Sequence, residues 1–374
     1  MSYCLGIDVG TTSTAAAIVR GGAVHVVGLG AVADGVPSML FVDRDRDLIF
    51  GEAAARRALM EPEAAAAHFK RRLGDPTPLI VRGAPYSAES LIAKLLAWVV
   101  TQVTDREGEP PAAIVASRPA NWGPYKQELF DQALRLAGLA GAATVTEPHA
   151  AALHYASQQR VPDGAVIAVY DLGGGTFDAA VLAKTADSFV LLGESTGIEH
   201  LGGVDFDDAI MAKVSRTVGP AWPHDQDDPE VLRPMYSLRR YCVEAKELLS
   251  WERQASVPVL LPGVETTVQL SRDELWDMIH PRLEESVMAL REALASAQIA
   301  ASDLHTVLLV GGSSRIPMIA DLLREEIGAP VTADVDPVYA VARGAAIAAA
   351  QLAPRAAASS PPASPRPAPQ ASLP

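Results

Sequence analysis

Two short turns constrain this chain more than any other feature. In each, a β-branched apolar run carries an aspartate near its end. A glycine-rich turn with small hydroxyl residues follows, and a second apolar run returns. The first reads Leu5-Gly6-Ile7-Asp8-Val9-Gly10-Thr11-Thr12-Ser13, with Ala15–Arg20 after it. The second reads Val166-Ile167-Ala168-Val169-Tyr170-Asp171-Leu172-Gly173-Gly174-Gly175-Thr176-Phe177-Asp178, with Ala179–Ala183 after it. The spacing predicts two β-hairpins in the same register about 163 residues apart, a duplicated architecture rather than a solenoid repeat. A third run, Val307-Leu308-Leu309-Val310-Gly311-Gly312-Ser313-Ser314-Arg315, has the same opening, but a helix is expected after it.

Apolar spacings of three and four predict helices over Ser87–Val103, with Ser87 or Ser90 as cap, over Tyr125–Ala137 ending at Gly138, and over Glu147–Ser157. Further helices are expected over Asp205–Val218, Pro229–Trp251 and Arg272–Ala297, and Val218–Pro229 reads as the loop between two of them. Strands alternating with helices point to an α/β fold with two sheet-centred lobes, and a cleft between such lobes is a usual ligand site.

Composition removes several functions. With 31 basic and 45 acidic side chains the net charge is −14, so no counterion release draws the chain to nucleic acid or to an anionic membrane. Cys4 and Cys242 are its only cysteines, which excludes a four-cysteine zinc site and a disulfide framework and favours a reducing compartment. No run approaches the ~20 apolar residues of a membrane span, and the N-terminus lacks the basic and apolar regions of a signal peptide. A cytoplasmic location is expected. The stretch 354–374 holds seven prolines, six alanines and four serines, and is expected to be a disordered, polyproline-like tail.

Glycine-rich turns let backbone N–H groups approach an anion closely, so a row of them makes a phosphate cradle. Gly10, Thr11, Thr12 and Ser13 form one such turn, and Gly173, Gly174, Gly175 and Thr176 the other. Asp8 and Asp171 at the strand ends suit Mg²⁺, which takes one or two carboxylates, or their bound waters, plus phosphate oxygens. One such loop alone reads as an ordinary tight turn. Two matched loops and a third Gly-Gly-Ser read as a nucleotide clamp. Neither a P-loop nor a Rossmann fingerprint occurs at these turns.

The same residues resemble the two phosphate signatures of the seventy-kilodalton heat-shock protein (DnaK-type chaperone) family. Val307–Pro317 resembles its third signature, and Glu147-Pro148-His149-Ala150-Ala151-Ala152-Leu153 is close to a further family motif. His200-Leu201-Gly202-Gly203-Val204-Asp205-Phe206-Asp207 and Asp336–Ala346 complete the order. The resemblance covers residues 3 to about 353, the family's nucleotide-binding domain, and implies an actin-like ATPase fold that binds ATP/ADP with Mg²⁺ in the interlobe cleft. Lobe I would span 1–165 with a peripheral part at about 37–111, and lobe II 166–335 with one at about 202–278. Residues 336–353 would return to lobe I.

By the same resemblance, Asp8 and Asp171 orient Mg²⁺ through its water shell. The two turns, with Gly202 and Gly203, hold the phosphates. Lys70 reaches the γ-phosphate and Glu147 the attacking water, so Lys70, Glu147, Asp171 and Thr176 form the catalytic set. Gly311, Gly312, Ser313 and Arg315 border the adenosine, opposite Lys246 and Ser250. Bland alternatives exist for three of these. Lys70 lies in the basic run Lys70-Arg71-Arg72, Glu147 suits a helix start, and Lys246 sits among Glu244 and Glu247 as on a surface face. Pro119 matches the family's hinge proline, or is a simple turn proline.

The sequence departs from the family at several points. Val243 stands three residues before Lys246 where the family has Glu, and Val338 replaces the acid expected after Asp336-Pro337. The relay arginine falls near Gln127, and the J-domain contact positions fall at Ala143 and Thr146, the first without its charge. Since the chain passes directly into Pro354, no peptide-binding sandwich is expected. A slow ATPase acting as a conformational switch in protein folding is the expected function, with a nucleotide-exchange factor as partner. The rivals are a nucleotide-sensing scaffold with negligible hydrolysis and a small-molecule kinase.

Overall fold

A computed structural model describes residues 2–223, 225, 228–333 and 336–358. Two sheets form its framework. The first runs in the order Ala143–Thr146, Ala113–Arg118, Cys4–Val9, Ser13–Arg20, Ala23–Val27, and Val36–Pro37 adds to Ser13–Arg20. The second runs Phe189–Ile198, Phe177–Lys184, Val166–Leu172, Leu304–Val310, Val331–Ala333. In each sheet the inner strand of the hairpin pairs antiparallel with its partner and parallel with a strand much later in the chain. Asp8 stands opposite Ala15 in one hairpin, and Asp171 opposite Asp178 in the other, the same seven-residue offset. The expected duplication is thus present down to the register.

The inner strands are buried on both faces, as parallel sheets require, and each sheet packs on its own apolar core. The long helix Arg272–Ala297 starts from a capping box between Ser271 and Glu274 and lays Leu275, Ile279, Leu283, Val287 and Leu290 on the second sheet. The buried Tyr170 hydroxyl shares a 2.5 Å hydrogen bond with Ser286 of that helix.

The helix Ala340–Ala358 packs through the buried Ala342, Ala345, Ala346 and Ala349, where there is little room for a larger side chain. A Cβ on Gly6 would lie 2.5 Å from the carbonyl oxygen of Ala342, and one on Gly344 would run into the backbone of Ala150. Small residues therefore set how closely this helix meets the strand Cys4–Val9 and the helix Glu147–Gln158. The remainder of the expected tail, residues 359–374, lies outside the described residues.

Helix ends differ from expectation in small ways. Ser87 occupies the N-cap position of Ala88–Glu107 without a side-chain cap bond, and the Ser90 hydroxyl donates to the Ser87 carbonyl instead. The helix expected over Pro229–Trp251 ends at Leu248, and Leu249–Trp251 form a turn. The loop expected at Val218–Pro229 contains a short 3-10 turn, Gly219–Ala221, and three of its residues lie outside the description.

Candidate functional site

The two hairpin turns close in the same way. The Gly10 N–H donates to the Ser13 carbonyl and the Gly173 N–H to the Thr176 carbonyl, both at 3.0 Å. Both turns open onto one cleft of about 660 Å³, a size usual for a small-ligand site. Asp8, Gly10, Thr11, Thr12, Ser13, Lys70, Glu147, Asp171, Gly173, Gly174 and Thr176 border it, as do Gly203, Lys246, Ser250, Gly311, Gly312, Ser313 and Arg315. Val243 and Val338 border it as well.

Gly175 and Gly202 are absent from the cleft wall. They pack one loop on the other: a Cβ on Gly202 would stand 2.5 Å from the Gly175 nitrogen. This contact lets the N–H groups of Gly203 and Val204 donate to the carbonyls of Gly173 and Gly174 at 3.1 and 2.8 Å. The third turn joins the second through the Ser313 hydroxyl, which donates to the Gly173 carbonyl at 2.8 Å. Gly311 has φ 83° and faces Asp171, whose Oδ1 a Cβ would approach to 2.7 Å, so glycine is required there.

At the floor of the cleft Lys70 donates to Glu147 Oε1 at 2.6 Å, and both side chains are buried. Lys70 sits in the 3-10 turn Phe69–Arg72, entered through His68 in the left-handed region at φ 55°. It is no solvated basic residue. Of its neighbours only Arg72 behaves as a surface cation, paired with Asp75. Glu147 is indeed the first residue of its helix, and buried besides.

The electrostatics are unbalanced. Asp8, Glu147, Asp171 and Asp178 act on one another around the single Lys70 ammonium. Burial disfavours the charged Lys70, yet Glu147, Asp8 and Asp171 outweigh it and hold Lys70 above the usual amine range. Burial first, and neighbouring negative charge second, push Asp171 and Asp178 well above the usual carboxylate range. Burial also raises Glu147, against the pull of Lys70. A surplus of buried carboxylates calls for a cation. The carboxylates of Asp8 and Asp171, which both border the cleft, are the donor type that a hard divalent cation such as Mg²⁺ takes.

Several features were not read from the sequence. Asp178, the last residue of the second signature, is buried and accepts the Asn121 N–H at 3.3 Å, two residues after the buried Pro119. Ser117 holds Asp8 by a 2.6 Å bond from its hydroxyl. Lys246 does not form the surface ion-pair face that Glu244 and Glu247 suggest. It pairs with the buried Asp207 at 2.7 Å and donates to the Gly203 carbonyl at 2.9 Å. Arg71 reaches across to the other sheet's side, 2.9 Å from Asp205 and 2.8 Å from His200 Nδ1. Its sequence signal, a basic triplet, does not separate it from Arg72. Gln127 donates to the Trp122 carbonyl, and Ala143 and Thr146 lie in the edge strand of the first sheet.

Comparison with known proteins gives one consistent result. The family model described as Hsp70 protein matches residues 4–82 and 78–360. "Chaperone protein DnaK" of Elusimicrobium minutum is 27% identical over 364 residues, which is 94% of this chain and 58% of that protein. "Chaperone protein DnaK" of Mycoplasmopsis synoviae is 29% identical over 358 residues, 93% and 58% respectively. "Chaperone protein dnaK3" of Synechococcus elongatus is 31% identical over 390 residues, 94% and 50% respectively. The chain therefore spans about half to three-fifths of the length of these relatives.

Proposed function

The chain belongs to the Hsp70 family and has an actin-like α/β ATPase fold, and from that premise we propose that it binds Mg-ATP, hydrolyses it slowly, and serves as an ATP/ADP switch in chaperone work. The observation that carries this reading is the matched pair of hairpin turns bordering one cleft, with the buried Lys70–Glu147 pair at its floor. The lobes are 1–165, with its peripheral part at 37–111, and 166–335, with its peripheral part at 202–278. Residues 336–353 return to the first lobe.

The two turns bind the phosphate oxygens through backbone N–H groups other than those of Gly10 and Gly173, which close the turns, and of Gly175, which packs on Gly202, and the hydroxyls of Thr11, Thr12 and Thr176 add donors. Asp8 and Asp171, at the ends of the two inner strands, would hold Mg²⁺, which would neutralise phosphate charge. The Lys70 ammonium stabilises charge on the transferring phosphoryl oxygens. The Glu147 carboxylate orients the attacking water and accepts its proton. One water is consumed, the bond between the β,γ-bridging oxygen and the γ-phosphorus breaks, and ADP and phosphate leave.

Arg71 links nucleotide state to lobe position, because its guanidinium spans from the Lys70 turn to Asp205. The partners are a protein that reads the closed state and an exchange factor that opens the cleft. The setting is the cytoplasm, and among the described residues no helix is long and apolar enough to cross a membrane. Small-angle scattering with Mg-ATP and with ADP tests the switch. A smaller radius in ATP supports it, and identical curves at saturating nucleotide contradict it.

A further inference from the structure

The cleft wall made by the helix Pro229–Leu248 and its following turn differs in kind from the phosphate-facing loops. The cations bordering it are already engaged. Lys246 is tied to Asp207 and the Gly203 carbonyl, Arg239 to Asp208 at 2.6 Å, and Arg315 to Asp336 at 3.0 Å. Val243 and Val338 present only methyl groups to the same space. Trp251 also borders the cleft and is 80% exposed. Of the chain's five tryptophans, the other four are buried or half-buried. A large flat apolar group left in water at the mouth of a cleft is a surface that a planar ligand would cover.

We propose that Trp251 is the base-stacking residue of this cleft. The ring of a purine nucleoside di- or triphosphate lies on the Trp251 indole and against the methyls of Val243 and Val338. This rests on the nucleotide reading above and adds its recognition mode: the base is held by its face and hardly read along its edge. Every base has a π face, so stacking tolerates base identity. The apolar contacts of Val243, Val338 and Trp251 cannot strongly reject a purine of the same shape. The polar groups left on that wall, Glu247 and Ser250, lie at the open end of the helix, where a bond to a base edge competes with water. ATP and GTP are therefore expected to bind within about tenfold of each other.

The test is a tryptophan-fluorescence and calorimetric titration of the full chain with Mg-ATP, Mg-GTP and tripolyphosphate. It uses the wild type, Trp251→Phe and Trp251→Ala, and Trp251 is too exposed for folding to depend on it. Both nucleotides should change wild-type emission, and the change should vanish in Trp251→Phe while affinity is kept. Trp251→Ala should weaken both nucleotides about tenfold and leave tripolyphosphate binding unaltered. Unchanged nucleotide affinity in Trp251→Ala, or rejection of GTP by more than about a hundredfold, overturns the inference alone. Failure of all three ligands to bind the wild type overturns the nucleotide reading with it.

Discussion

Lys70 Nζ lies 2.6 Å from Glu147 Oε1, with the two side chains 6% and 8% exposed. They are 77 residues apart in sequence. The pair joins a one-turn 3-10 segment to the first residue of a helix. It puts one cation and one carboxylate at the floor of a cleft that Asp8 and Asp171 border from the two hairpins.

Because the pair is buried, removing one partner strands the other. Lys70→Ala should lower stability by about 3–5 kcal/mol and abolish phosphate release. The double variant Lys70→Met/Glu147→Gln should recover most of that stability while turnover stays absent. Chemical denaturation and a phosphate-release assay on the same samples separate the two effects.

The crowded carboxylates make stability depend on pH in a defined direction. Glu147, Asp171 and Asp178 have folded-state pKa values above the ordinary 4.5 and 3.8, mainly through burial. In the window above those ordinary values the folded chain holds protons that the unfolded chain has released. Stability then falls as pH rises through the folded-state values. Without divalent cation, melting temperature should drop as pH rises above the ordinary carboxylate range, and Asp171→Asn should flatten the slope. Mg-ATP at a hundred times Kd should add about 2.7 kcal/mol of stability and raise the whole melting curve. A melting temperature that climbs with pH in the cation-free chain would refute the carboxylate account.

Arg71 pairs with Asp205 at 2.9 Å, with side-chain exposures of 12% and 24%, and so ties the Lys70 turn to the helix that carries Asp207. Arg71→Ala should speed nucleotide dissociation about tenfold while changing the association rate little. A stopped-flow chase with a fluorescent nucleotide measures both rates. Equal dissociation rates in the variant and the wild type would remove the clasp.

Gly344 is where the C-terminal helix meets the backbone of Ala150. Gly344→Ala should cost about 3 kcal/mol by overpacking, although alanine is the better helix former. Gly123→Ala, where a Cβ meets nothing within 4 Å, is the control and should stay within about 1 kcal/mol. Thermal melts of the two variants side by side decide it.

The hairpins were legible because their determinants are local. A β-branched run, an aspartate, glycines and hydroxyls at fixed offsets dictate strand, turn and return strand, and Asp8 and Asp171 follow. What stayed hidden depends on partners far along the chain. Lys246 reads as a surface lysine until Asp207, on another helix, is brought to 2.7 Å. Arg71 and Arg72 read alike, yet one crosses to Asp205 and the other turns to Asp75. The exclusion of Gly175 and Gly202 from the cleft wall reflects loop packing against loop, which no spacing within either loop encodes.

Calorimetric titration with Mg-ATP, paired with phosphate release from the same sample, decides whether the cleft is an ATPase site. The comparison is between wild type, Asp171→Asn and Glu147→Ala. Tight binding with slow release is expected in the wild type, with weaker binding in Asp171→Asn and binding without release in Glu147→Ala. A wild type that binds no nucleotide, or a Glu147→Ala variant that releases phosphate at the wild-type rate, would contradict the account.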